Sequence, residues 1–199
     1  MRSSLQQVIH WVEPNSRVLD LGCGDGTLMA HLIEHKGCSG YGLEIDRDCI
    51  ISAVSKGVNA IERDLDNGLG EFGDKTFDTV VMTQALQATQ RPDLALAEML
   101  RIGHEAIITF PNFAHISHRI QLGLLGRMPV SKALPHQWYD TPNIHLSTFN
   151  DFERLCDAQN AEIMDRQVMT RTGLGHTLAR LRPNLLGDLA LYRVRGRTL

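Results

Sequence analysis

Three glycines at alternate positions, Gly22, Gly24 and Gly26, follow a carboxylate in the run Val18-Leu19-Asp20-Leu21-Gly22-Cys23-Gly24-Asp25-Gly26. Glycines spaced this way let the backbone bend tightly and let a ligand lie against it without meeting a Cβ. A helix beginning just after Thr27 would aim its free N–H groups and the positive end of its dipole at the same point. The dinucleotide pattern G-x-G-x-x-G would place the third glycine one residue later, where this chain has Thr27. Asp25 stands inside the bend. A pyrophosphate pressed against it would be repelled by about 4 kcal/mol at an effective dielectric near 20. A cation between Asp20 and Asp25 would be welcome.

S-adenosylmethionine carries a sulfonium, an ammonium and no phosphate, so the bend favours that cofactor over NAD. Two more acids fit the same ligand. Glu44 falls 18 residues after Gly26, where a strand-end carboxylate can accept from both ribose hydroxyls. Asp64 could accept from the adenine amine, with the Leu65 N–H donating to a ring nitrogen; the plainer alternative is that Asp64 and Asp66 are turn residues only. Ile45 and Leu65 are placed to sandwich the adenine, and Gln84 faces the methionine half.

Catalytic residues are not assigned. Thr83-Gln84-Ala85-Leu86-Gln87 stands where enzymes acting on exocyclic amines carry an Asn-Pro-Pro-Tyr type clamp, which disfavours methylation of bases or glutamine. If methyl transfer occurs, it needs mainly an in-line acceptor, with a base only where the acceptor must lose a proton. His115 and His118, three apart, could form a metal or acid–base pair, but no acidic residue lies between Glu105 and Asp140. They read as ordinary polar histidines, and no metal site is expected. His136 and His145 flank Trp138-Tyr139-Asp140, a pattern suited to an acceptor pocket or a structural lid.

The elements that would position these groups alternate. Leu5, Val8, Ile9 and Val12 predict an amphipathic helix within 1–15, closed by Pro14. Strands are expected at 17–21, 40–45, 58–63, 79–82 and 106–110, with helices between them, the last opened by Pro92. This alternation specifies an α/β fold with a doubly wound, mostly parallel sheet. Residues 111–146 lose the periodicity and carry prolines at 111, 129, 135 and 142. So long an irregular insertion is functional or disordered, and its aromatic content argues for order, as a lid or a partner surface. Thr148-x-x-Asp151 resembles a capping box that starts another helix. Final strands are expected at 163–169 and 189–194, paired antiparallel at one edge.

The 199 residues are 43% hydrophobic with a net charge of −3, enough for one core and a single domain over 1–199. No apolar run could span a bilayer and the amino-terminal residues form no signal core, so a cytoplasmic protein is expected. The acidic balance argues against nucleic-acid binding. Residues 160–199 carry seven Arg and a net of +4, which reads as solvated surface or as a docking face for an acidic partner. Cys23, Cys38, Cys49 and Cys156 form no C-x-x-C pair and read as reduced thiols.

Over residues 17–110 the glycine bend, Glu44 and Asp64 resemble the class I S-adenosylmethionine-dependent methyltransferase superfamily, which implies a Rossmann-like, seven-stranded sheet. Gly40-Tyr41-Gly42-Leu43-Glu44-Ile45-Asp46, Phe110-Pro111-Asn112-Phe113 and the long run from Gly126 to Leu146 are more specific. Together they resemble the MetW family of methionine biosynthesis over nearly the whole chain. The resemblance implies cofactor binding at Asp20, Gly22, Gly24, Gly26, Glu44 and Asp64. It also implies a partner, homoserine O-acyltransferase, which the family is thought to support or activate. It establishes no methyl acceptor, and a homodimer through the insertion stays open.

Overall fold

A computed structural model describes residues 3–170 and 176–197. Met1, Arg2 and Arg171, which entered the reading of the termini and of the basic tail, lie outside them. Helix α1 (Ser3–Trp11) leads into β1 (Arg17–Leu21), α2 (Thr27–Lys36), β2 (Ser39–Glu44), α3 (Arg47–Ser55) and β3 (Ala60–Glu62). Then come β4 (Phe77–Thr83), α4 (Pro92–Ile102) and β5 (Gly103–Pro111). Helices α5 (Ile116–Leu125) and α6 (Phe149–Ala158), strand β6 (Ala161–Met169), helices α7 (His176–Leu181) and α8 (Pro183–Leu186), and β7 (Leu189–Gly196) complete the order.

The strands form one seven-stranded sheet in the order β3-β2-β1-β4-β5-β7-β6. β1 to β5 pair in parallel, while β7 is antiparallel to both β5 and β6. The α/β expectation and the antiparallel edge both hold. Successive β4 residues explain the two layers: Val80 and Met82 enter the core with α4 and α6, whereas Val81 enters the core with α1 and α2. A strand stretch buried on both faces is apolar at successive positions, as Val80-Val81-Met82 is. On β1 the same alternation sends Val18 to the α1–α2 side and Leu19 and Leu21 to the other. Asp20 therefore lies on the α1–α2 side. The sheet order reverses between β1 and β4, so the crevice at their carboxyl ends is where ligands bind in such folds.

The stretch 111–146 is less irregular than its sequence suggests, because it contains the ten-residue α5. His118 is its one buried residue, and so narrow a buried face leaves no apolar period to read. The base of the insertion is closed by the Phe113 N–H donating to the Ser147 carbonyl at 2.9 Å. Asn112, fully buried, donates to the Gly187 and Asn184 carbonyls at 2.8 and 3.1 Å and pins the start. The expected cap of α6 is present, with Thr148 Oγ1 accepting from the Asp151 N–H. Along α4, Leu96, Met99, Leu100 and Ile102 are buried, whereas Leu94 is exposed.

Candidate functional site

Gly22, Gly24 and Gly26 all have positive φ, at 72°, 54° and 73°, conformations in which a side chain is strained. Beyond that their duties differ. A Cβ on Gly22 would come within 2.9 Å of the Ala85 Cβ, and one on Gly26 within 2.7 Å of the Ala53 Cβ. Those two glycines let neighbouring elements close on the bend. A Cβ on Gly24 would meet nothing within 4 Å. Gly24 is the one of the three whose bare face looks onto open space.

Glu44 locks the bend in place. Its Oε2 accepts from the Gly24 N–H at 2.8 Å, and its Oε1 accepts from the Ile45 and Asp46 N–H groups at 2.8 and 3.1 Å. The carboxylate is thus oriented before any ligand arrives, and each oxygen keeps lone-pair capacity for a hydroxyl. Asp20, one strand residue below the bend, is 1% exposed and its Oδ1 has no hydrogen-bond partner. Burial, with the nearby Glu44 charge adding to it, pushes the Asp20 carboxyl up to about 7. An orphaned buried carboxylate calls for a cation or a donor.

Asp25 departs from the expectation. Its carboxylate takes an ion pair from Lys56 at 2.5 Å and accepts from the Thr27 hydroxyl at 2.9 Å, which holds its carboxyl below the usual range. Lys56 is 31 residues away and gave no sign in the sequence of this role. The negative potential at the bend comes from Asp20 and Glu44, not from Asp25.

Two cavities meet here, sharing Gly22, Thr83 and Gln84. One of about 520 Å³ is lined by Asp20, Gly24, Asp25 and Leu5 among others. The second, about 390 Å³, is lined by Glu44, Ile45, Asp64 and Leu65, the four residues expected around a nucleoside. Eight of the nine sequence-proposed positions line these two cavities; Gly26 does not, and packs against Ala53 instead. Asp64 caps the short 3₁₀ turn Leu65–Asn67 by accepting from the Asp66 N–H at 3.0 Å, so its turn role and its place in the cavity coexist. Gln84 has φ of 54°, held there by its N–H donating to Thr109 O at 2.8 Å.

The sequence reading missed Leu5, Arg63, Thr83, Pro142 and Asn143, which also line these cavities. Leu5 was legible only as a helix residue, and Pro142 and Asn143 reach the crevice from the far end of the insertion. His115 and His118 hold local structure. The His115 ring caps α5 by accepting from the Ser117 N–H, and the buried His118 ring bridges Phe113 O and Ser131 Oγ. Burial lowers the His118 pKa below its usual value. Arg166, Arg193, Arg195 and Arg197 of the basic tail are engaged with Glu153, Glu105, Glu162 and Asp157. These pairs favour the solvated-surface reading over a free cationic face. No described helix is long and apolar enough to cross a membrane.

The residues fit a cationic, phosphate-free nucleoside. The test is the orphaned Asp20 oxygen beside an open glycine face, with the Glu44 carboxylate fixed at the neighbouring cavity. A pyrophosphate in the same place would face Asp20 and Glu44 together.

Known proteins agree with this architecture. A solved structure of a putative S-adenosylmethionine-dependent methyltransferase from Listeria monocytogenes is similar, with TM-score 0.69 and 14% identity over 98% of this chain and 96% of that one. The [4+2]-cyclase SpnF is similar too, with TM-score 0.67 and 16% identity over 98% of this chain and 82% of that one. At such identities the likeness establishes the fold, that of the class I methyltransferases, and nothing of the reaction. A bifunctional methionine biosynthesis protein MetXA/MetW from Rhodopirellula baltica is 32% identical over 196 residues, covering 94% of this chain. The chain spans 31% of that relative's length. The family model for methionine biosynthesis protein MetW matches residues 2–194, and the chain belongs to the MetW family.

Proposed function

We propose that this chain binds S-adenosylmethionine in the β1–β4 crevice and acts with homoserine O-acyltransferase, whose activity it raises. The observation that carries the partner is the relative in which MetXA and MetW are joined in one polypeptide. We identify the MetXA part with the acyltransferase that the family resemblance implies. Tethering two proteins raises their effective concentration to the millimolar range, an arrangement suited to components that work together.

In the crevice, Asp20 would face the positive methionine end, Glu44 the ribose hydroxyls, and Asp64 with the Leu65 N–H the adenine, between Ile45 and Leu65. Gly24 leaves the face of the bend bare for it, Gly22 and Gly26 let Ala85 and Ala53 pack behind the bend, and Gln84 borders the methionine end. When bound, the cofactor supplies an activated methyl group. Among the residues lining the methionine-side cavity the acids are Asp20 and Asp25; Asp20 is buried below the bend and Asp25 is paired with Lys56. That leaves Asp20 as the carboxylate to meet the positive end of the cofactor.

The insertion 111–146 supplies the docking surface in this reading. Leu124, Leu125, Trp138 and Tyr139 are all exposed, Leu124 at 80% and Trp138 at 72%. Large apolar side chains presented together on one segment mark an interaction site. The test is to mix the purified protein with a homoserine O-acyltransferase and follow homoserine acylation. A higher rate at saturating protein supports the reading, and an unchanged rate overturns it. A labelled product from labelled S-adenosylmethionine and cell extract, lost with Glu44→Ala, would instead establish a small-molecule methyltransferase.

A further inference from the structure

The nucleoside-side cavity is not built from the sheet alone. Pro142 and Asn143 line it together with Glu44, Asp64 and Leu65, although they lie about a hundred residues from Glu44 in the chain. The segment that carries them is tied to the loop after β4. The Ile144 and His145 N–H groups both donate to the Gln87 carbonyl at 3.0 Å, and the His145 ring meets Gln90 O at 3.2 Å. Gln90 in turn donates its N–H to Asp66 Oδ1 at 2.8 Å, and Asp66 donates its own N–H to Asp64 Oδ1 at 3.0 Å. A continuous hydrogen-bonded path therefore joins Asp64, in the cavity, to residues 144–145 of the insertion.

Asn143 is conspicuous in this arrangement. Its backbone N–H is held by Thr141 Oγ1 at 3.1 Å, while its side-chain amide has no hydrogen bond among the described residues. An amide offers two donors and an acceptor, the combination that an adenine edge or a ribose hydroxyl can engage.

We infer that Asn143, with Pro142 beside it, is a nucleoside-contacting residue contributed by the insertion, so that filling the crevice fixes the segment 141–147. The inference rests on the proposed nucleoside site and adds a regulation to it. Exposed Trp138, Tyr139, Ile144 and Leu146 flank the contact, so occupancy of the crevice is transmitted to the surface assigned to the partner. The coupling is thermodynamic: a ligand that binds the ordered segment better shifts the population towards it, and a partner docking on that segment tightens ligand binding by the same factor.

The test uses the full chain and S-adenosylhomocysteine as the probe, with titration calorimetry and amide hydrogen exchange. Saturating ligand is expected to slow exchange across 141–147 severalfold while leaving 126–135 of the same insertion unchanged. Asn143→Ala is expected to weaken binding about fivefold, the equivalent of one neutral hydrogen bond. Unchanged exchange at 141–147 in the saturated wild-type protein overturns the inference and leaves the nucleoside site standing. So does an Asn143→Ala affinity within twofold of wild type. Failure of the wild-type protein to bind the probe at all overturns the site and the inference together.

Discussion

The Gly24 N–H donates to Glu44 Oε2 at 2.8 Å, which ties the bend after β1 to the end of β2. Both Glu44 oxygens accept from backbone N–H groups. Glu44→Gln must therefore turn an amide N–H towards another N–H on one side or the other. We expect it to lower stability by about 2 kcal/mol, the cost of a mismatched donor. It also loses the charge that strengthens acceptance from ribose hydroxyls. Calorimetric titration with S-adenosylhomocysteine should show binding weakened by at least about tenfold; an affinity equal to wild type would remove Glu44 from the ribose role.

Asp20 sets a pH dependence with a definite sign. Its carboxyl is raised from 3.8 to about 7 by burial and by Glu44, so the folded protein prefers it protonated. The stability gained from that protonation is complete below 3.8 and is lost as pH rises through about 7. Asp20→Asn escapes the loss. The variant should equal wild type near pH 4 and exceed it at pH 8, by on the order of 4 kcal/mol if nothing else relaxes. Denaturant melts at the two pH values check this.

Ligand binding should run the other way. A cation needs Asp20 ionised, so a site that must first lose a proton binds about tenfold more weakly at pH 6 than at pH 8. Asp20→Asn should abolish that pH dependence and weaken S-adenosylmethionine at pH 8. The same substitution thus stabilises the free protein and disables the site, a combination expected where a buried charge is kept for a ligand.

The glycines separate folding from binding. Gly26→Ala places a methyl 2.7 Å from the Ala53 Cβ and 2.9 Å from its Cα, at φ 73°. Left-handed strain and overpacking together should cost about 3 kcal/mol. Gly24→Ala meets nothing within 4 Å, so only the strain remains, about 1 kcal/mol. Its methyl would stand in the space left for a ligand. Thermal melts should rank Gly26→Ala well below Gly24→Ala, whereas titration should find Gly24→Ala folded but impaired in binding.

What could be read in the sequence follows from range. The bend, Asp20 and Glu44 were legible because their spacing is local and each sits at the end of a periodic strand. Val80-Val81-Met82 announced a doubly covered strand by being apolar throughout. The Asp25–Lys56 pair was not legible, because it depends on how α3 packs beside the bend. Helix α5 was hidden because it buries His118 and leaves Ile120, Leu124 and Leu125 exposed, which inverts the usual pattern. Pro142 and Asn143 are brought to the crevice because the next two residues, Ile144 and His145, donate their N–H groups to the Gln87 carbonyl, a backbone contact that no residue type signals.

That inverted helix makes the final prediction. Leu124 and Leu125 end α5 and are exposed, as is Trp138, so replacing them removes no core contact. The double variant Leu124→Glu with Trp138→Ser should melt within about 1 kcal/mol of wild type, as surface changes do. S-adenosylhomocysteine affinity should also be kept, since neither side chain lines the crevice. If the insertion docks on the acyltransferase, losing two apolar anchors should weaken the complex by at least about tenfold, because a few such side chains carry most of an interface's energy. Co-sedimentation and the homoserine acylation rate measure this directly. A variant that still raises the rate at wild-type concentrations would move the docking surface away from α5 and the Trp138 turn.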